Sequence, residues 1–177
     1  MKKIVLILMC LPIFAMAQKD TIITLPTQDG KVFYEHIYKD SGMTKNDLFI
    51  KAKDVFLRLF PDTKGVIQNE DKENGIITGK GNFSFTIKGG AFNLSFPQSV
   101  KCTFRIMVKD QKYKVVIFDF YSVSSNLQDY PIEDGYYTVK KKKKKVWYRY
   151  YTAFNDRVLE MFDQIENRMN KKLSTDF

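Results

Sequence analysis

The stretch that most constrains this chain runs from Ser99 to Val123. Val100, Cys102, Phe104, Ile106 and Val108 alternate with Lys101, Thr103, Arg105 and Lys109. That is the two-residue period of a strand with one face buried and one wetted. Asp110-Gln111 then supplies a turn, and Tyr113 to Tyr121 returns in a run rich in β-branched and aromatic residues. A long antiparallel hairpin is the expectation, and the remaining elements have to be placed against it.

The segments before it carry the same kind of signal. Val32 to Tyr38 reads as a strand, preceded by an extended lead-in that turns at Asp29-Gly30. Ser41-Gly42 breaks it. Thr44-Lys45-Asn46-Asp47 then resembles a capping box, with the acidic side chain three positions after the threonine. The helix that follows places Leu48, Phe49, Ala52, Val55, Phe56, Leu59 and Phe60 on one broad face, with Lys51, Lys53, Asp54 and Arg58 off it, and stops before Pro61. Ile50 and Leu57 fall on the opposite side and form a candidate partner surface; lone exposed apolar residues are also ordinary.

Residues 65–69 read as a short strand, Asp71 to Gly75 as a turn, and Ile76 to Ile87 as a longer strand. Gly79 and Gly81 within that strand predict a bulge or a close backbone approach. Gly89-Gly90 is a hairpin signal, Phe92, Leu94 and Phe96 resume the alternation, and Pro97 belongs at an edge or bulge. Leu127 to Val139, with Pro131 and Gly135, is the least regular part. From about residue 150 a last helix carries the stripe Tyr151, Phe154, Val158, Met161, Phe162, Ile165 and Met169, with Arg168, Lys171 and Lys172 suiting its C-terminal end. The order β-α-β-β-β-β-α predicts one α+β domain, a curved antiparallel sheet with two helices packed on one face.

The first seventeen residues read as an address. Lys2 and Lys3 precede an apolar run from Ile4 to Phe14, and Ala15-Met16-Ala17 fits a signal-peptidase site, so a chain starting at Gln18 is expected outside the cytoplasm, in the periplasm or at the cell envelope. The run is too short for a permanent membrane span, and no later segment is apolar enough for one. Lipid attachment at Cys10 is the weaker reading, because Met9 is bulky and the apolar run continues past the cysteine. Cleavage leaves 160 residues, enough for a single domain with its own core, and Cys102 as a lone cysteine. Its apolar neighbours predict a buried, inert thiol.

Charge is concentrated in one place. The formal net charge is +9; it falls to +7 without Lys2 and Lys3, and to +1 without the run Lys140, Lys141, Lys142, Lys143, Lys144 and Lys145. The domain is therefore nearly neutral and carries one basic segment. Six adjacent lysines repel one another and favour a solvated, extended stretch. With Trp147 and Arg149 they form a candidate site for anionic glycans or lipid headgroups, Tyr148, Tyr150 and Tyr151 adding aromatic surface. The plainer reading is a solvated loop whose aromatics join the core as the last helix begins, and it is favoured.

No catalytic or metal motif stands out, and no cofactor is expected. His36 lacks a second histidine for a metal cluster, and no Gly-x-Ser-x-Gly elbow presents a serine to it. Glu70, Asp71 and Glu73 lack the spacing of a calcium loop and fit a hairpin turn. Asp129, Glu133 and Asp134 would pair with the lysine run or line a cleft; a hydrolase built on such carboxylates needs a deep pocket where they converge. Gly79-Lys80-Gly81 is too short for a phosphate loop. The fifteen phenylalanines and ten tyrosines are explained first by core packing.

Ile67 to Asp71, Gly75 to Gly81, Phe104 to Asp110 and Lys112-Tyr113-Lys114 together resemble a family of exported bacterial domains of unknown function with a TATA-binding-protein-like fold. The resemblance spans about residues 30–125 and is closed by the last helix, with Val55 in place of an expected tryptophan in the first. It implies a fold and an export route, and no activity or functional residues. A shape of this kind does not imply DNA binding, and the leader argues against a partner on the chromosome. The expectation is a non-enzymatic binding module whose partner is an envelope protein, or an anionic glycan or lipid.

Overall fold

A computed structural model describes residues 23–60, 66–89, 94–123, 129–142 and 145–171. The expected leader with its cleavage site after Ala17, and the turn after Gly89 with Phe92, lie outside the described residues. The elements are β1 (Thr27–Gln28), β2 (Lys31–Lys39), α1 (Lys45–Leu59), β3 (Ile67–Asp71), β4 (Ile76–Gly89), β5 (Leu94–Lys109), β6 (Lys112–Ser122), β7 (Tyr130–Pro131), α2 (Ile132–Lys142) and α3 (Lys145–Asn170). The strands form an antiparallel sheet in the order β1-β2-β6-β5-β4-β3, with β7 paired to β6.

The predicted hairpin is the centre of this sheet. Lys109 pairs with Lys112 across the turn, and the register runs to Val100 opposite Ser122. One bulge interrupts it, since Thr103 faces Phe118 while Lys101 faces Tyr121. Asp119 takes up the extra residue at φ 53°. The shift keeps Phe118 on one face and turns Phe120 into the core, where it is fully buried. Without the bulge, alternation from Tyr113, Val115 and Ile117 would have placed Asp119 there.

The helices cover one face. Thr44 caps α1 with its hydroxyl and Asp47 closes the capping box, as expected. Leu48, Ala52, Val55 and Phe56 are buried beneath it. Gly79 and Gly81 allow this close approach: a Cβ on Gly79 would lie 2.6 Å from the Val66 carbonyl, and one on Gly81 2.5 Å from the Phe60 ring. In α3, Phe154 has its ring within 6.3 Å of those of Tyr34, Phe83, Phe85 and Phe120. Burial of such aromatic rings supplies much of a core's stabilisation.

Several expectations are corrected. There are three helices among the described residues instead of two, because α2 occupies part of the stretch read as irregular. Its apolar positions Ile132, Tyr136 and Val139 make only a short stripe, of which Ile132 and Tyr136 are buried, and Gly135 weakens the helical signal. That glycine is a packing residue, since a Cβ there would lie 2.5 Å from the Tyr151 hydroxyl. The last helix begins at Lys145, earlier than its apolar stripe indicated. The lysine run is not an extended loop over its described length: Lys140, Lys141 and Lys142 complete α2 and Lys145 opens α3, while 143 and 144 lie outside the described residues. Lysine is a good helix former, and helices on either side override local repulsion. Lys51, placed off the apolar face of α1, is buried; its Nζ donates to the Met169 carbonyl at 2.6 Å, capping the end of α3. Two short strands are additional: β1 turns into β2 through Asp29 and Gly30 at φ 50° and 77°, and β7 pairs with the end of β6.

Candidate functional site

The side of the sheet without helices is built from the alternate residues of β2, β6, β5 and β4, and cross-strand register puts them in rows. Lys39, Lys112 and Lys109 stand opposite one another in the first row. Ile37, Lys114, Met107 and Ile76 make the second, and Glu35, Val116, Arg105 and Thr78 the third. Phe33, Phe118, Thr103 and Lys80 follow, then Tyr121, Lys101 and Asn82. The surface mixes aromatic, aliphatic and mostly cationic side chains. Val116 and Thr103 are buried on it, although no helix covers them.

Contacts between neighbours explain that burial. The Arg105 guanidinium lies 5.1 Å from the centre of the Phe118 ring, and its Nε donates to Thr78 Oγ1 at 3.2 Å. Phe33 packs against Phe118 at 6.2 Å, and Lys114 pairs with Glu35. At the other end a hollow of about 790 Å³ is lined by Lys80, Asn82, Lys101, Thr103, Asp119 and Tyr121 among others. Lys101 donates to Asp129 at 2.7 Å on its rim, and Asp119 faces Lys31 at 3.9 Å.

A second cleft, of about 700 Å³, lies where β5, β6 and β7 meet α2 and α3; Trp147, Tyr150, Tyr151, Pro97, Ser122 and Tyr130 are among its walls. Trp147 is half-exposed and rests against Tyr150 at 6.2 Å, and Arg149 is exposed beside it. Tyr150 and Tyr151 enter the core, so the aromatics after the lysine run divide between core and surface. Ile50 and Leu57, 46% and 58% exposed, stand on α1, outside the residues lining either cavity.

Of the acidic residues singled out by sequence, Glu70, Asp71, Asp129 and Glu133 are engaged in separate places. Glu70 pairs with Lys53. Asp71 accepts from the Asn74 side chain at 2.8 Å and its backbone N–H at 2.9 Å, which hold the carboxyl below its ordinary pKa. Glu133 is buried and accepts from the Val32 N–H at 3.1 Å, tying α2 to β2. No three metal-ligating side chains gather among the described residues. His36 is exposed on β2, its ring 4.5 Å from that of Tyr38. Cys102 is buried as expected, and burial pushes its thiol well up.

The rows of the helix-free face were only half legible in the sequence. Alternation assigns Lys101, Arg105 and Lys109 to a wetted side. Which of them meets Lys112, Phe118 or Tyr121 depends on strand order and on the bulge at Asp119.

A family model described as a domain of unknown function (DUF4468) with TBP-like fold matches residues 33–122. The structure is similar to the crystal structure of a DUF4468 family protein from Bacteroides ovatus, with TM-score 0.70 and 17% identity over 86% of this chain and 94% of that one. It is also similar to a TBP-like protein from Parabacteroides distasonis, with TM-score 0.63 and 17% identity over 83% and 98% of the two chains. No curated protein matches the chain in sequence. At this identity the likeness concerns the fold. Among the described residues no helix is long and apolar enough to cross a membrane.

Proposed function

The chain belongs to the DUF4468 family, domains of unknown function with a TBP-like fold, and from that premise we propose an exported, non-catalytic binding module of the cell envelope. Its partner meets the helix-free face of the sheet. The observation that carries this reading is the asymmetry of the sheet: three helices share one side, while the other leaves a row-ordered surface and a hollow of about 790 Å³ open. Concave, mixed surfaces of that size suit ligand or partner binding. The leader at residues 1–17 supports export. The separate engagement of Glu70, Asp71, Asp129 and Glu133 supports a binding role over hydrolysis.

The test is capture from envelope extract by residues 18–177, beside the variant Asn82→Trp, whose indole fills the hollow. Capture abolished by Asn82→Trp with the fold intact supports the reading, and capture indifferent to it removes this face from consideration.

A second reading is attachment to anionic envelope glycan or lipid through Lys140 to Lys145. The half-exposed Trp147 and exposed Arg149 beside that run favour it. Replacing all six lysines by glutamine should then abolish a capture that high salt also abolishes. Capture that survives both treatments excludes it.

A further inference from the structure

We propose that the helix-free face binds an acidic polysaccharide, with Lys39, Lys109, Lys112 and Arg105 holding its carboxylates. This rests on the reading of that face as the partner surface and names the partner's chemistry.

The first row is the starting point. Lys112 lies directly opposite Lys109 on one side and Lys39 on the other, so three cations stand abreast on adjacent strands. Neighbouring strands are about 4.8 Å apart, and like charges directly opposite each other destabilise a sheet. All three lysines are exposed, and none has an ion pair among the described residues. The fold gains nothing from this row. An anion laid across it would turn the repulsion into attraction.

The following rows continue the pattern. Arg105 is held from two sides, by the Phe118 ring and by Thr78, so its guanidinium is fixed before any ligand arrives. Such a planar fork matches a carboxylate through two parallel hydrogen bonds. Lys80 is exposed one row on and also lacks an ion pair among the described residues. The spread of these cations over several rows fits an extended polyanion better than a single small anion.

The balance of the face is set by its own rows, which carry Lys39, Lys109, Lys112, Lys114, Arg105, Lys80 and Lys101 against Glu35. Lys114 is paired with Glu35 and Lys101 with Asp129, and the remaining cations make this a surface that attracts polyanions.

Two observations favour a polysaccharide over nucleic acid. The leader read at residues 1–17 would direct the chain away from the cytoplasm. In the basic rows, moreover, Phe118 already has Arg105 against its face, and Phe33 is packed beside it. Among the described rings of these rows only Tyr121 is exposed, whereas sequence-tolerant binding of single strands relies on successive open aromatic platforms.

The test uses residues 18–177 with fluorescent polygalacturonate as the carboxylated polymer, across a salt series. Neutral dextran, a single-stranded oligonucleotide and anionic lipid vesicles serve as comparisons. Polygalacturonate should bind in preference to all three. The triple substitution Lys39→Gln, Lys109→Gln and Lys112→Gln should lower the slope of log K against log salt by about 2, as expected for three lost contacts. The corresponding triple arginine variant should keep the slope, and so should glutamine at Lys140 to Lys145. Absence of polygalacturonate binding, binding indifferent to the triple glutamine change, or stronger binding to the oligonucleotide or vesicles overturns the proposal. If it is overturned while Asn82→Trp still abolishes envelope capture, the binding-module reading stands with a partner of other chemistry; if capture is also indifferent to Asn82→Trp, both readings fall.

Discussion

The two faces of this sheet are made by the same strands, residue by residue, and obey different rules. On the helix side the rows Tyr38–Tyr113–Val108 and Tyr34–Ile117–Phe104–Gly79 are buried beneath the helices, with glycines where α1 comes closest. On the other side, Val116 and Thr103 are buried only by neighbouring side chains, and one row sets three lysines abreast. Close packing governs the first face. The second tolerates a local electrostatic cost, which is how a surface shaped for a partner differs from one shaped for stability.

The largest break in this contrast is expected from base. Burial raises the hydroxyl pKa of Tyr34, Tyr113 and Tyr151 above the ordinary value, and that of Tyr38 to about 12. The folded state therefore keeps protons that the unfolded state releases above about pH 10, and stability falls with rising pH in that range. The contribution is complete below the unfolded pKa and is lost as pH climbs through the folded one. Tyrosinate absorbance and circular dichroism followed together should show ionisation of these rings coinciding with unfolding; ionisation of all tyrosines in a folded protein would contradict their burial.

Phe154→Ala removes the ring at the centre of the covered face and should cost about 3–5 kcal/mol in urea unfolding. Ile37→Thr, on the open face, should stay within about 0.5 kcal/mol. Similar losses at both sites would erase the distinction between the faces.

Gly79→Ala should cost about 1–3 kcal/mol, because the added methyl meets the Val66 carbonyl and the Phe56 ring and α1 has to move. Lys51→Met keeps the length of the buried side chain but leaves the Met169 carbonyl without its donor, at a cost of about 1–3 kcal/mol. A neutral result would show that water reaches that helix end.

The smallest effect has the opposite sign. Lys112→Glu places an anion between Lys39 and Lys109 and should stabilise the fold by about 0.2–1 kcal/mol at low ionic strength, with the gain fading as salt rises. The same variant should weaken polygalacturonate binding. A mutation that improves stability while removing binding would be the sharpest expression of the difference between the faces.

How much was legible beforehand follows from the range of each interaction. The capping box at Thr44 and Asp47, the hairpin around Asp110-Gln111 and the stripe on α3 are local patterns, and each appears in the structure. The helix at Ile132–Lys142 escaped because its apolar stripe stops after Ile132, Tyr136 and Val139 and its glycine answers to Tyr151, distant in sequence. Lys51 escaped because its partner is a carbonyl 118 positions away. The lysine run drew attention by composition alone, whereas the basic rows are scattered over four strands and show no local excess of charge.

The sequence by itself determined the strand and helix periods, the buried cysteine, the α+β class and the family, because these depend on neighbours a few positions apart. Only the tertiary structure decided which alternate residues share a row, that a bulge at Asp119 divides Phe118 from Phe120, and that cations from β2, β4, β5 and β6 lie on one face. The physical reason is that alternation fixes two sides for each strand separately. Strand order and register, set by the packing of the whole core, determine which of those sides and side chains meet.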